Sequence, residues 1–314
     1  MNEMTPIQAL PDINGCHVFM KREDLLPFSF GGNKVRIAEA FFEDMERKGA
    51  DCMVGYGNAR SNLSRALSAM ARERGVPCLI ISPDDEDGSR TETFNSRLVR
   101  AAGAKIVPCA KTRVRETVEH VLEECRADGR TPYYIYGGSD GRGNEAVPAE
   151  AYVKVSAEIA AQEKSLGFQF DRIYLALGTG MTQAGLMLGA ALLERPWEII
   201  GISIARPAER CRAVIRERLE AYRKEKGLPE PDLPEASVRD EYLLGGYGAW
   251  DEGVAETIRD MYGRFGIPLD PTYSGKAFRG MRSELEKDPL PGGNVLFLHT
   301  GGGPLFFDFI QTVL

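Results

Sequence analysis

Histidine is scarce in this chain. Only His17, His120 and His299 occur in 314 residues, and they are widely scattered. With no H-E-x-x-H and no metal-ligand spacing, no metal centre is expected. None of the six cysteines (Cys16, Cys52, Cys78, Cys109, Cys125, Cys211) forms a C-x-x-C pair, and several sit in apolar, strand-like runs. Buried reduced thiols in a cytoplasmic protein are the expectation. No apolar run approaches bilayer length, so no membrane partner is expected. The opening "MNEMTPIQALPD" lacks a basic region followed by an apolar core, so no signal peptide is expected. Positive charge is not in excess: 39 Lys and Arg face 46 Asp and Glu, a formal net charge of -7, which argues against general nucleic-acid binding. Internal repeats, low-complexity tracts and like-charge blocks are also missing.

What is present is an ordinary globular composition, 43% hydrophobic and 27% charged. At this length, two lobes or one large α/β domain is the prior. Strand-like and helix-like stretches alternate from "DCMVGYG" through "YYIYGG", and again from "RIYLAL" to the terminal helix after "GGGP". That alternation predicts parallel sheets with helices on both faces. "CHVFMKRED" reads as a strand that joins the sheet of the second lobe, so the lobes interleave. A small domain is placed at 41–138, and a large domain at 1–40 with 139–314. The proline-rich "LPEPDLPEASVRDEYLLGGYG" reads as a surface excursion, "IPLDPTYSGK" as a turn and "AFRGMRSELEK" as a helix.

One stretch organises the rest. "SFGGNKVRIAEAFFEDMERKG" predicts a helix with Asn33 as its N-cap and Gly49 as its stop. Ile37, Ala38, Phe41, Phe42 and Met45 recur at helical spacing and make one buried face. Lys34 then falls in the first turn, the wrong end of the dipole for a cation. The dipole disfavours the ammonium form and helps the amine act as a nucleophile or Schiff-base partner. A solvated lysine at a loop–helix junction is the bland alternative.

Five loops fall at strand-to-helix junctions and are expected to share one cleft, because ligands in open α/β sheets bind beyond the carboxyl ends of the strands. "LALGTGMTQAGL" gives strand, glycine loop and helix start in that order. Gly178, Thr179, Gly180, Met181 and Thr182 supply the donors and flexibility of a phosphate site. It is not a Walker A loop, since no Lys-Ser/Thr follows, and Gln183 stands where G-x-G-x-x-G needs glycine. In "GYGNARSNLSR", Ser61 is either a helix cap or a hydroxyl for a substrate carboxylate. Tyr247 in "LLGGYGAW" and Tyr273 in "DPTYSGKA" are either packing groups or a pair that stacks on a ring or exchanges a proton. In "FLHTGGGP", Thr300 ends a strand ahead of three glycines.

A lysine set for imine chemistry, a phosphate cradle and aromatic hydroxyls, without metal or nucleotide motif, fit pyridoxal 5'-phosphate. The chain resembles the family of D-cysteine desulfhydrases and aminocyclopropane-carboxylate deaminases, within the tryptophan-synthase-β-like superfamily. The likeness runs nearly end to end: "KREDL", "FGGNKVR", "SN" followed by Arg65, "GTGMTQAG", "GYG", "DPTYSGKA" and "HTGGGP". The resemblance implies a two-lobed α/β fold, each lobe a mainly parallel twisted sheet flanked by helices, and a homodimer. It implies that Lys34 carries the cofactor and that Asn62 bonds its ring hydroxyl. Gly178 to Thr182 would hold the phosphate, Ser61 would meet the substrate carboxylate, and Tyr247 and Tyr273 would line the reacting side.

Ring-opening members carry Glu where this chain has Ser274, facing the pyridine nitrogen. Desulfhydrase-like members have Thr there and a second Thr that Thr300 matches. A neutral hydroxyl partner makes a weaker electron sink, sufficient for loss of a good β-leaving group. Arg60 before Ser61 and Leu63 after Asn62 depart from the family, and both flank the expected carboxylate site. The implied activity is β-elimination from a small amino acid of D configuration, giving a 2-oxo acid and ammonia. Ring-opening deamination, β-replacement and racemisation stay open, as does a non-catalytic protein that binds the same cofactor. Arg60 would select a second anionic group on the substrate, or pair with an acidic residue of "SPDDEDG", or face solvent.

Overall fold

The computed structural model describes residues 3–58, 60–84, 92–228 and 234–314. In chain order the first elements are β1 (Ile7–Ile13), β2 (Cys16–Arg22), α1 (Asn33–Arg47), β3 (Cys52–Tyr56), α2 (Asn62–Glu73), β4 (Cys78–Pro83) and α3 (Phe94–Ala101). Then come β5 (Lys105–Cys109), α4 (Val114–Ala127), β6 (Pro132–Tyr134), α5 (Val147–Leu166), β7 (Arg172–Leu177) and α6 (Met181–Leu192). The chain continues with β8 (Glu198–Ser203), α7 (Ala208–Lys226), β9 (Ser237–Arg239), α8 (Glu252–Phe265), α9 (Ser274–Lys287), β10 (Asn294–His299) and α10 (Gly303–Val313).

The chain divides into two compact units, Met1–Asn33 with Ala149–Leu314, and Lys34–Pro148. The sequence pattern placed the changes at 40/41 and 138/139. Asn33, the last residue of the first segment, donates its backbone N–H to Thr300 O at 3.1 Å within the larger unit.

The larger unit holds a six-stranded sheet in the order β1-β2-β10-β7-β8-β9. All neighbours pair in parallel except the antiparallel β1–β2 hairpin. The parallel strands are buried on both faces, which is why "NVLFLH" and "RIYLAL" read as unbroken apolar runs. On one face Val18, Met20, Tyr174, Ile200, Ile202, Val295 and Phe297 follow the period of two. They meet Val254, Ile258 and Met261 of α8, and Ala277, Phe278 and Met281 of α9. The smaller unit is a four-stranded parallel sheet, β5-β4-β3-β6. There the predicted face of α1 is buried as expected, with Ile37, Phe41 and Phe42 fully covered. Each of those side chains contributes about 1.5–3 kcal/mol of burial.

Three local readings need correction. Asn33 is the first helical residue of α1 rather than its cap, and its side chain donates to Thr182 Oγ1 at 2.9 Å. The proline-rich excursion contains strand β9, which pairs in parallel with β8; residues 229–233 of that stretch lie outside the described residues. Helix α9 begins at Ser274, three positions before the "AFRGMRSELEK" segment, because the Asp270 carboxylate caps it. Asp270 Oδ1 accepts from the N–H groups of Thr272 (2.9 Å) and Tyr273 (2.8 Å), and Oδ2 from that of Ser274 (3.1 Å).

Candidate active site

In the larger unit, the loops around Gly32 and Gly301 pack backbone to backbone. A Cβ on Gly32 would lie 2.8 Å from Thr300 O, and one on Gly301 would lie 2.5 Å from Gly32 Cα. Only glycine permits that approach, and Gly32 and Gly301 both sit at positive φ. The junction is locked by His299, which is fully buried. Its Nδ1 accepts from the N–H of Gly301 at 3.1 Å, so its Nε2–H donates to Pro268 O at 3.0 Å. Burial pushes the imidazole pKa down, which keeps the ring neutral and in that tautomer.

The glycine loop runs from the carboxyl end of β7 into α6. Gly180 occupies the N-cap at φ 76°, with no side chain capping the helix. A Cβ there would press to 3.1 Å on Ile215 Cγ1. The first-turn N–H groups of α6 have no intrahelical partners by geometry, and the dipole is positive at that end. Arg218 Nε donates to Thr179 O at 3.0 Å, while Asn33 holds Thr182 Oγ1, so both shoulders of the loop are fixed. The donor set fits an anionic group of phosphate type.

Beside this loop stand the two tyrosines. A Cβ on Gly178 would sit 3.9 Å from Tyr273 Cε1. The hydroxyls of Tyr273 and Tyr247 share a hydrogen bond at 2.8 Å, with ring centroids 5.9 Å apart in an edge-on arrangement. Ser274 is fully buried. Its hydroxyl donates to Asp270 Oδ2 at 2.7 Å and accepts from the Asp270 N–H at 2.8 Å. Burial pushes the Asp270 pKa up, opposed by the donors it accepts from. The Thr300 hydroxyl, by contrast, makes no hydrogen bond among the described residues, although its carbonyl receives the Asn33 N–H.

In the smaller unit, Lys34 occupies the first turn of α1, half-buried. Ser61 is the N-cap of α2, its Oγ accepting from the Ser64 N–H at 3.1 Å, which leaves its own O–H to donate. Asn62 follows as the first helical residue. Asn95, fully buried at the start of α3, donates from Nδ2 to both Arg60 O and Asn62 Oδ1, each at 3.0 Å. Asn62 must therefore turn its oxygen toward Asn95, and its amide N–H pair is left for a ligand. Arg65 is buried in the same helix, and desolvation pushes its pKa down to about 10. The Arg60 guanidinium makes no ion pair or hydrogen bond among the described residues; Asp85, Glu86 and Asp87 of "SPDDEDG" lie outside them.

Asn95 and Arg218 lie outside the quoted motifs, while Asn33, Asp270 and His299 lie inside them without a role legible from the motif. Their contribution comes from partners distant in sequence, apart from the helix-start proximity of Asp270 to Ser274.

Residues 2–301 match the family described as pyridoxal-phosphate dependent enzyme. The chain belongs to that family. Its cofactor is accordingly pyridoxal phosphate, and the uncapped start of α6 fits the phosphate of that group. A D-cysteine desulfhydrase from Yersinia pestis is 31% identical over 313 residues, covering 97% of this chain and 93% of the relative. A solved structure described as an ACC deaminase homologue is also 31% identical, with a TM-score of 0.85 over 99% of this chain and 93% of that one. O-ureido-L-serine synthase shares the fold at 18% identity, with a TM-score of 0.67 over 98% of this chain and 93% of that one. Among the described residues, no helix of this pyridoxal-phosphate dependent enzyme is long and apolar enough to cross a membrane.

Proposed function

We propose that this enzyme removes a β-substituent from a small amino acid of D configuration, releasing a 2-oxo acid, ammonia and the leaving group with consumption of one water. The observation that carries the reading is the division of labour between two hydroxyls. Ser274 is committed to Asp270, and the Thr300 hydroxyl is left as a neutral partner for the ring nitrogen. Bound here, pyridoxal phosphate supplies an electron sink that lets the Cα–H bond break and the β-substituent depart. Lys34 would hold the cofactor in the resting enzyme, and its amine, once free, would move the Cα proton. Ser61 donates its free O–H to the substrate carboxylate. Asn62, turned by Asn95, donates to the ring hydroxyl. The first turn of α6 binds the phosphate, and Tyr273 handles the proton at the leaving group. The reading includes a homodimer in the cytoplasm.

The test is product analysis on D-cysteine, L-cysteine, β-chloro-D-alanine and 1-aminocyclopropane-1-carboxylate. Turnover is expected for the two D amino acids, with sulfide and 2-oxo acid in equal amounts from D-cysteine. Ring opening as the sole activity would overturn the reading.

Two further outcomes follow from the same geometry. Thr179→Glu adds a carboxylate beside an anion site. It is expected to weaken cofactor retention about tenfold or more, from the ~1–2 kcal/mol a part-buried helix terminus gives an anion. Equilibrium dialysis of the apoenzyme measures this, and unchanged affinity would refute the role of the loop. Arg60 adds a fixed positive charge and a planar fork of donors next to Ser61. Arg60→Gln is expected to lose about tenfold or more in kcat/KM for substrates with a second anionic group, such as cysteate, through ~1.5–3 kcal/mol of charge-assisted hydrogen bonding. D-cysteine should be unaffected. Equal losses on both sets would assign Arg60 to architecture.

A further inference from the structure

Lys276 breaks the same local rule as Lys34. It is the third residue of α9, a cation in the first turn of a helix, and it is fully buried. Here the compensation is in view. Its Nζ donates to three backbone carbonyls: Leu243 O at 3.0 Å, Gly246 O at 3.1 Å and Ile204 O at 3.4 Å. Two of these belong to the turn just before Tyr247, and the third follows the end of β8. The turn is strained: Leu244, Gly245 and Gly246 all lie at positive φ, at 54°, 100° and 117°. A non-glycine residue held there persists only where its surroundings over-determine it. A single Gly246 N–H to Leu243 O bond of 3.0 Å closes the turn. The ammonium supplies the rest, drawing two of its carbonyls inward to one point.

The geometry points to Lys276 as a positioning residue for Tyr247, an amine inside a carbonyl cage that holds the tyrosine turn against α9, where the Tyr247 and Tyr273 hydroxyls share their hydrogen bond. The inference rests on the proposed role of the two tyrosines and extends it to what keeps them paired. An apolar side chain at this point removes all three Nζ bonds, leaving the turn only its backbone hydrogen bonds, and the turn loses its anchor to α9.

The charge of Lys276 is itself titratable. Burial pushes its pKa down to about 8, against the upward pull of Asp270 from the turn before α9 and Asp251 from the start of α8. Asp251 is tied to Arg279 and held low by it. The Tyr247 and Tyr273 hydroxyls are the other titratable groups of the paired loops. Above about pH 8 the ammonium is lost, so the cage loses its cation as pH rises, and kcat should fall with it.

The experiment compares holoenzyme forms of wild type, Lys276→Met, Tyr247→Phe and the double variant. Lys276→Met is expected to lower kcat about tenfold, the worth of one well-placed hydrogen bond, with KM and cofactor absorbance unchanged. The double variant should be no slower than Tyr247→Phe alone, because one residue acts through the other. Additive losses would overturn the inference. Should Lys276→Met fold poorly, the pH profile decides: wild type loses kcat through about pH 8, and Tyr247→Phe shows no such limb. A limb unchanged in Tyr247→Phe would also overturn it. Hydrogen exchange over residues 243–248 gives a readout independent of turnover. Faster exchange in Lys276→Met supports the anchor even if no amino acid is consumed, and that combination would reject the proposed activity alone. Unchanged exchange would reject the anchor.

Discussion

Lys34→Ala is expected to yield a folded protein that turns over no amino acid and forms no borohydride-reducible link to the cofactor. The position argues for a clean result. Lys34 sits in the first turn of α1, so its removal takes a cation away from the positive end of a helix, a change of about 0.3–1 kcal/mol in favour of the folded state. The buried face of Ile37, Phe41 and Phe42 is untouched, so the melting temperature should hold or rise slightly. The loss in kcat should exceed about 10³-fold, because proton transfer by a positioned group alone accounts for about 10²–10⁴. Reduction of wild type followed by peptide mapping should mark Lys34. The other buried lysines are poor competitors. Lys21 Nζ is ion-paired with Glu158 at 2.6 Å and bonded to Thr5 O and Gln162 Oε1, and Lys276 is enclosed by carbonyls. Both amines are already engaged by these partners, and a label on either would refute the assignment.

The contrast between these lysines shows what a sequence can display. Lys34 and Lys276 both violate the dipole rule, but the sequence pattern left Lys276 in the turn before the helix, and only the start of α9 at Ser274 brings it into a first turn. Only the structure shows that one is compensated by carbonyls from residues 204, 243 and 246. The parallel sheets were legible because β7, β8 and β10 are apolar runs, each followed in the chain by a helix. The edges were not. β1 is half-exposed, carries Pro11 and shifts register between Leu10 and Ile13, which hides its alternation. β9 has three residues, and its place depends on pairing with β8 and on Gln183 Nε2 donating to Ser237 O at 2.9 Å. The glycine loops were readable because close backbone approach restricts residue type. The groups that orient the site were not: Asn95 lies outside every quoted motif, and His299, although inside "HTGGGP", shows its role only through its bonds to Gly301 and Pro268.

Tyr273→Phe is expected to lower kcat by about 10²–10⁴, the range for loss of a positioned acid or base. Two hydroxyls 2.8 Å apart are joined by one hydrogen bond, so a proton can be relayed between them, yet they are not equivalent. Tyr273 lies against the glycine loop, whereas Tyr247 is 41% exposed and holds its hydroxyl from the outer side. Tyr247→Phe should therefore cost only about tenfold, the worth of one hydrogen bond. The leaving group separates two roles for Tyr273. A departing thiolate gains from a proton, and chloride does not. The deficit of Tyr273→Phe should thus be large on D-cysteine and small on β-chloro-D-alanine, with KM little changed on either. Steady-state kinetics on the two substrates measures the difference directly. If both substrates lose equally, the phenol acts at Cα and not at the leaving group, and the proton that accompanies the β-substituent must come from Lys34.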